Sequence, residues 1–169
     1  MLFVHIFALL AAALAAPGSA SPIKRQYNTV TQVDMVAYID APPAGTSMAT
    51  GASTPFALAN GWYADCYPVW TPLDIYVLAD APAPEGLNTT YGFSDYLAYI
   101  GRYQEINWNS PYVPPDSPPP PPTALMMPAL DTAYVGADVY LTVVMNFTEC
   151  APDDHIDVGI SYVTITYDG

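Results

Sequence analysis

Proline and glycine cut this chain into short pieces, and no piece carries the apolar spacing of a helix. With nineteen prolines and ten glycines in 169 residues, little uninterrupted length remains. Proline inside a helix removes a hydrogen bond and clashes with the preceding turn. The pieces between these breaks alternate instead. Val139, Leu141, Val143, Met145 and Phe147 are apolar at every second position, the spacing of one strand face. Tyr140, Thr142, Val144 and Asn146 between them are mixed, which predicts a one-sided strand with a wet even-numbered face. Leu73, Ile75, Val77 and Ala79 alternate in the same way with Asp74, Tyr76 and Leu78, as do Val33, Met35, Ala37 and Ile39 within Thr29 to Asp40. Further strands are expected over 96–103 and 158–167, with a hairpin turn at Asn60–Gly61 and a small-residue loop over 41–55. About seven such strands predict an all-β fold, an antiparallel β-sandwich. From Pro111 to Pro122 eight of twelve residues are proline. That stretch must be extended polyproline II, and it reads as a stiff Pro-rich crossover between sheets.

The amino-terminal end has the pattern of an export signal. Leu2 to Ala16 is an uncharged run of fifteen residues, shorter than the about 20 a membrane-spanning helix needs. Pro17 closes it, and the small residues Gly18, Ser19 and Ala20 follow. This predicts a signal peptide over 1–20 with cleavage after Ala20, although no Lys or Arg precedes the run. The pair Lys24–Arg25 looks like the target of a secretory processing protease, which makes 21–25 a candidate pro-segment. An unprocessed surface pair is the alternative. Residues 26–169 then form a single β-sandwich domain. Its polar end, Thr166 to Gly169, lacks the apolar tail of a lipid-anchor signal, so the expectation is an extracellular protein without a membrane anchor.

Charge restricts the partners. All sixteen acids lie after Arg25, where Arg102 is the sole Lys or Arg, giving residues 26–169 a formal charge of −15 with His155 counted neutral. A basic patch for nucleic acid or another polyanion cannot be built from one arginine. Unpaired carboxylates repel one another less as they protonate near about pH 4, so such a chain is suited to mildly acidic surroundings.

Cys66 and Cys150 are the only cysteines, and in an oxidising compartment they read as a disulfide. The bridge would be worth about 4–5 kcal/mol in the chain-entropy account; two free thiols are the alternative. The triplets Asn88–Thr89–Thr90 and Asn146–Phe147–Thr148 are N-glycosylation acceptors, with surface positions implied.

Catalytic equipment is sparse. His155 is the only histidine beyond the leader, so a histidine-rich zinc site is excluded. The chain has no nucleophile elbow and no phosphate-binding glycine loop. Paired carboxylates for glycoside hydrolysis carry no local signature among so many acids. Asp153, Asp154 and Asp157 have the hard oxygen ligands of a calcium site, though not EF-hand spacing, and a solvated turn explains them equally; no other cofactor is expected. Trp62, Trp70 and Trp108, with Glu105 beside the last, are candidate carbohydrate contacts, because aromatic faces stack on sugar rings while nearby carboxylates bond hydroxyls. Ordinary core packing is the competing reading.

The segment Trp62 to Cys66, the Leu73–Leu78 strand, Tyr99–Ile100–Gly101–Arg102–Tyr103, the stretch Pro121 to Pro128 and the strand leading to Cys150 together resemble a group of small secreted proteins of mushroom-forming fungi. The resemblance spans roughly Pro55 to Tyr167 and implies a fungal secreted β domain. Without a catalytic motif it transfers no site. The functional expectation is a secreted acidic glycoprotein, non-enzymatic, with a structural or interaction role at or outside the cell wall. Its partner would be a cell-wall polysaccharide or an extracellular protein. A carbohydrate-binding module with an exposed aromatic platform is the alternative, and an acid-active hydrolase a lesser one.

Overall fold

The computed structural model describes residues 29–32, 37–59, 70–88, 90–106, 116–147 and 155–169. Among these residues there is no α-helix, only two single 3-10 turns, at Pro84–Gly86 and Thr132–Tyr134. The strands are β1 (Thr29–Gln32), β2 (Tyr38–Ala41), β3 (Thr46–Met48), β4 (Ser53–Pro55), β5 (Ala57–Ala59), β6 (Trp70–Leu78), β7 (Ala98–Ile106), β8 (Ala124–Met126), β9 (Asp138–Asn146) and β10 (His155–Tyr167). The described residues are therefore β-rich without an α-helix, as the alternation predicts, but the main sheet is mixed, while the two small sheets are antiparallel.

The main sheet runs in the order β1-β10-β9-β6-β7, with β3 also on β10. Its centre is antiparallel: β9 pairs with β10 through Val143↔Ser161 and with β6 through Ile75↔Val143. The far edge of the thirteen-residue β10 takes two short parallel partners, β1 from Thr29↔His155 and β3 from Thr46↔Ile165. Between them the Ile39 N–H donates to Ser161 Oγ at 3.3 Å. The single strand expected over Thr29 to Asp40 is thus two, β1 and β2. Here β2 leaves the main sheet to pair with β5.

The core lies under one face of this sheet. Leu73, Ile75 and Val77 of β6, Val139, Leu141 and Val143 of β9, and Ile165 of β10 have no exposure at all. These odd-numbered side chains pack against Met48 of β3 and against Ile39, Phe56, Leu125 and Met127 from the ribbons β2–β5 and β4–β8 and their connections. The loop expected over 41–55 contains β3 and β4. A three-residue strand is too short to show a period, and these two exist because β10 and β8 supply partners.

The opposite face departs from expectation. Among the even positions of β9, Tyr140 and Asn146 are partly exposed, but Thr142 and Val144 are fully buried. The excursion between β6 and β7 folds over them: Phe93, with Leu87 and Tyr91, packs on Tyr76, Leu78, Val144, Val158 and Ile160. Its Pro84–Gly86 turn reaches across to β1. The sheet is buried on both sides along its centre, and solvent meets its outer face only toward the margins.

The prolines close an edge. The Gln104 N–H of β7 donates to the Pro119 carbonyl at 3.0 Å, and four residues on the Thr123 carbonyl accepts from Phe56 N–H at 2.9 Å. Proline has no N–H to offer a further strand, so this segment caps β7 without extending the sheet. It then leads into β8, which pairs with β4 in a separate two-stranded sheet. Positions 111–115 and the Asn60–Gly61 hairpin lie outside the described residues.

Candidate functional site

The outer margin beside β7 carries tyrosines where sequence reading looked for tryptophans. Tyr76 on β6 lies directly opposite Tyr99 on β7, and Asp74 lies opposite Arg102. Strict alternation would not allow this, because residues 99 and 102 have opposite parity and should face opposite sides. A β-bulge resolves it. Pairing shifts between Ile75↔Gly101 and Tyr76↔Tyr99, leaving Ile100 as the extra residue. Tyr99 and Arg102 both turn outward, while Ile100 and Tyr103 pack against the core.

Three rings meet here. Tyr76 and Tyr99 have centroids 5.1 Å apart, Tyr76 and Tyr96 5.7 Å, and Tyr96 and Tyr99 6.2 Å, all tilted. Phe93 meets Tyr76 edge-on at 5.8 Å. Tyr76 is the buried foundation, whereas Tyr96 and Tyr99 are 46% and 45% exposed. The cluster is thus anchored from below and open above.

Its polar partners are fixed by a single carboxylate. Tyr99 donates its hydroxyl proton to Asp74 Oδ1 at 2.7 Å, and Arg102 Nη2 stands 3.4 Å from Asp74 Oδ2. Burial pushes the Tyr76 phenol up to about 12, with the negative charge of Asp74 adding to it. Tyr99 is raised too, by burial first and then by its hydrogen bond to Asp74. Both stay neutral donors in any physiological medium.

The turn beside Tyr76 is held by the Asn88 side chain. Asn88 Oδ1 accepts from the Thr90 N–H at 2.8 Å, the Thr90 hydroxyl at 2.7 Å and the Gly92 N–H at 3.3 Å. Asn88 N–H closes the turn onto the Gly92 carbonyl at 2.9 Å, and Tyr91 within it takes φ 61°. The turn seats Gly92 against the Tyr76 hydroxyl, where a Cβ would collide with it.

A second aromatic pair lies on the same face at β9 and β10. Tyr140 meets Tyr162 edge-on at 5.7 Å, and Tyr162 is 47% exposed.

Of the residues singled out from sequence, Asn88 is in the turn just described and Asn146 ends β9, both partly buried. Trp70 opens β6, opposite Ile106, and Glu105 lies opposite Thr71. Asp157 of β10 lies opposite Thr31. Trp62, Trp108, Cys66, Cys150, Asp153, Asp154, Ala20, Lys24 and Arg25 lie outside the described residues, as do the side chains of Trp70, Glu105 and Asp157. Among the described residues no group of acids, histidines or cysteines is arranged to hold a metal. Tyr96, Tyr99, Tyr140 and Tyr162 were missed. The available signal was Gly101 inside a strand, a mark of a bulge that reverses the parity of everything before it.

An all-β protein with an open tyrosine face is the class these features define. Comparison with protein families, curated proteins and solved structures finds no match for the chain.

Proposed function

We propose that this chain is a secreted, non-enzymatic glycoprotein that acts at or outside the cell wall by holding a polysaccharide on its tyrosine face. The observation that carries the reading is the pair Tyr96 and Tyr99, half exposed above the buried Tyr76 and flanked by Asp74 and Arg102. Tyrosine rings offer apolar faces to sugar C–H groups and hydroxyls to sugar oxygens. Asp74 and Arg102 add an acceptor and several N–H donors beside them.

Export, the −15 charge of residues 26–169 and the two glycosylation triplets support an acidic extracellular setting. The resemblance to small secreted fungal proteins implies the same. The main sheet faced by short ribbons across one core is read as a β-sandwich variant in which the proline-rich stretch crosses between layers.

The test is retention of the mature protein on chitin, β-glucan, mannan and cellulose in mildly acidic buffer. The expected result is retention on one polymer that Tyr99→Ala abolishes while the variant keeps a cooperative unfolding transition. Retention on none, or retention untouched by Tyr99→Ala and Tyr96→Ala together, refutes the reading.

A further inference from the structure

Two adjacent methionines, Met126 and Met127, are identical in chemistry and opposite in surroundings. The chain alternates through β8 and one residue past it: Ala124 and Met126 are exposed, Leu125 and Met127 buried. Met127 is 2% exposed and belongs to the core. Its peptide groups are tied to the neighbouring segment, the N–H donating to the Ala52 carbonyl at 3.4 Å and the carbonyl accepting from Gly51 N–H at 2.8 Å. Met126 is 66% exposed and lies opposite Ser53 of β4, which is exposed too. The other methionines among the described residues, Met48 and Met145, are 1% and 4% exposed. Of these four thioethers, Met126 alone is open to solvent.

Peroxides oxidise a thioether at a rate that follows access to the sulfur. The sulfur lone pair attacks one peroxide oxygen, an S–O bond forms and the O–O bond breaks. The second oxygen takes both protons and leaves as water. Sulfur gives up an electron pair, and the peroxide is reduced by it. The product, methionine sulfoxide, is polar. At Met48, Met127 or Met145 the new oxygen would be buried in an apolar core, which is costly without a hydrogen-bond partner. At Met126 it is solvated, and the core packing is untouched.

We propose that Met126 is a redox modification site, converted to the sulfoxide by hydrogen peroxide while the fold stays intact. The change replaces an exposed apolar group on the β4–β8 ribbon with a hydrogen-bond acceptor, and sulfoxide reductases reverse it. This inference is independent of the polysaccharide reading.

The experiment is graded hydrogen peroxide treatment of the folded mature protein, with fragment-ion mass spectrometry assigning the added oxygen between the two neighbours. Met126 is expected to oxidise at least about tenfold faster than Met48, Met127 and Met145, because buried sulfides wait on openings of the fold. In concentrated urea the four rates should converge. Protein oxidised at Met126 alone should keep the near-ultraviolet circular dichroism and the urea midpoint of the parent. Met126→Leu, a swap of similar volume, should end fast oxygen uptake by the peptide carrying positions 126 and 127. Equal rates for the four in the folded protein overturn the proposal. So does a urea midpoint lowered by oxidation at Met126 alone, or uptake by that peptide just as fast in Met126→Leu.

Discussion

Gly92→Ala is the substitution that most directly tests how the excursion between β6 and β7 holds the tyrosine face. Gly92 is buried, and its backbone is not among those with positive φ, so alanine meets no conformational strain there. On backbone grounds alone the change would stabilise by about 0.4–1 kcal/mol, through a less flexible unfolded chain. Sterics oppose this, because the new methyl collides with the Tyr76 hydroxyl. Tyr76 cannot swing aside freely, being packed by Phe93, Tyr96 and Tyr99 at ring-centroid distances of 5.8, 5.7 and 5.1 Å. Overpacking a site of this kind costs about 1–3 kcal/mol, so the collision wins. For a domain of this size that lowers the melting temperature by roughly 2–12 °C. Removing the hydroxyl removes the collision. Gly92→Ala combined with Tyr76→Phe should therefore be more stable than the two single changes sum to, by about 1–2 kcal/mol in a double-mutant cycle. Thermal and urea unfolding followed by near-ultraviolet circular dichroism read both quantities. A Gly92→Ala protein as stable as the parent, or a cycle with no coupling, would show that the loop does not rest on Tyr76 in this way.

Two further outcomes follow from the same tyrosines and from the carboxyl end. Tyr76 is lifted from 10.0 to about 12 and Tyr99 is raised with it, burial being the largest cause for each. Folding thus favours the protonated phenols: their contribution is intact below the unfolded value near about pH 10 and is lost as pH climbs through the folded values. Tyrosinate absorbance should show a late-titrating fraction that coincides with alkaline unfolding, and a single native titration near the unperturbed value would refute the assignment. Tyr167 is buried, and its hydroxyl accepts from the Leu130 N–H at 3.0 Å and bonds Thr50 Oγ1 at 2.6 Å. Tyr167→Phe leaves that N–H without its partner and should cost about 1–3 kcal/mol, read as a lower urea midpoint at unchanged slope. An unchanged midpoint would mean that the hydroxyl does not tie β10 to the Leu130 connection.

What could be read from the chain and what could not divide along a physical line. The inner face of β6 and β9 was legible because each of Leu73, Ile75, Val77, Val139, Leu141 and Val143 is fully buried at every second position, so burial writes its period into the sequence. The outer face obeys no such rule. Its cover is the 79–97 excursion, whose Phe93 and Leu87 sit in a stretch without period, and so the buried Val144 and Thr142 passed for a solvent face. The short β3, β4 and β8 were illegible for a related reason: strands of three residues are defined by partners distant in sequence, not by their own composition. The candidate site lies where these two failures meet. Tyr99 and Arg102 share a face only because Ile100 is unpaired at the bulge, and a period-two reading carried from Tyr103 back through Gly101 places Tyr99 in the core. Once the bulge is counted, the sole arginine of residues 26–169, its partner Asp74 and the aromatic row fall on one surface. The residues that interrupt the pattern are the ones that assemble the site, which is why alternation revealed the core and concealed the tyrosine face.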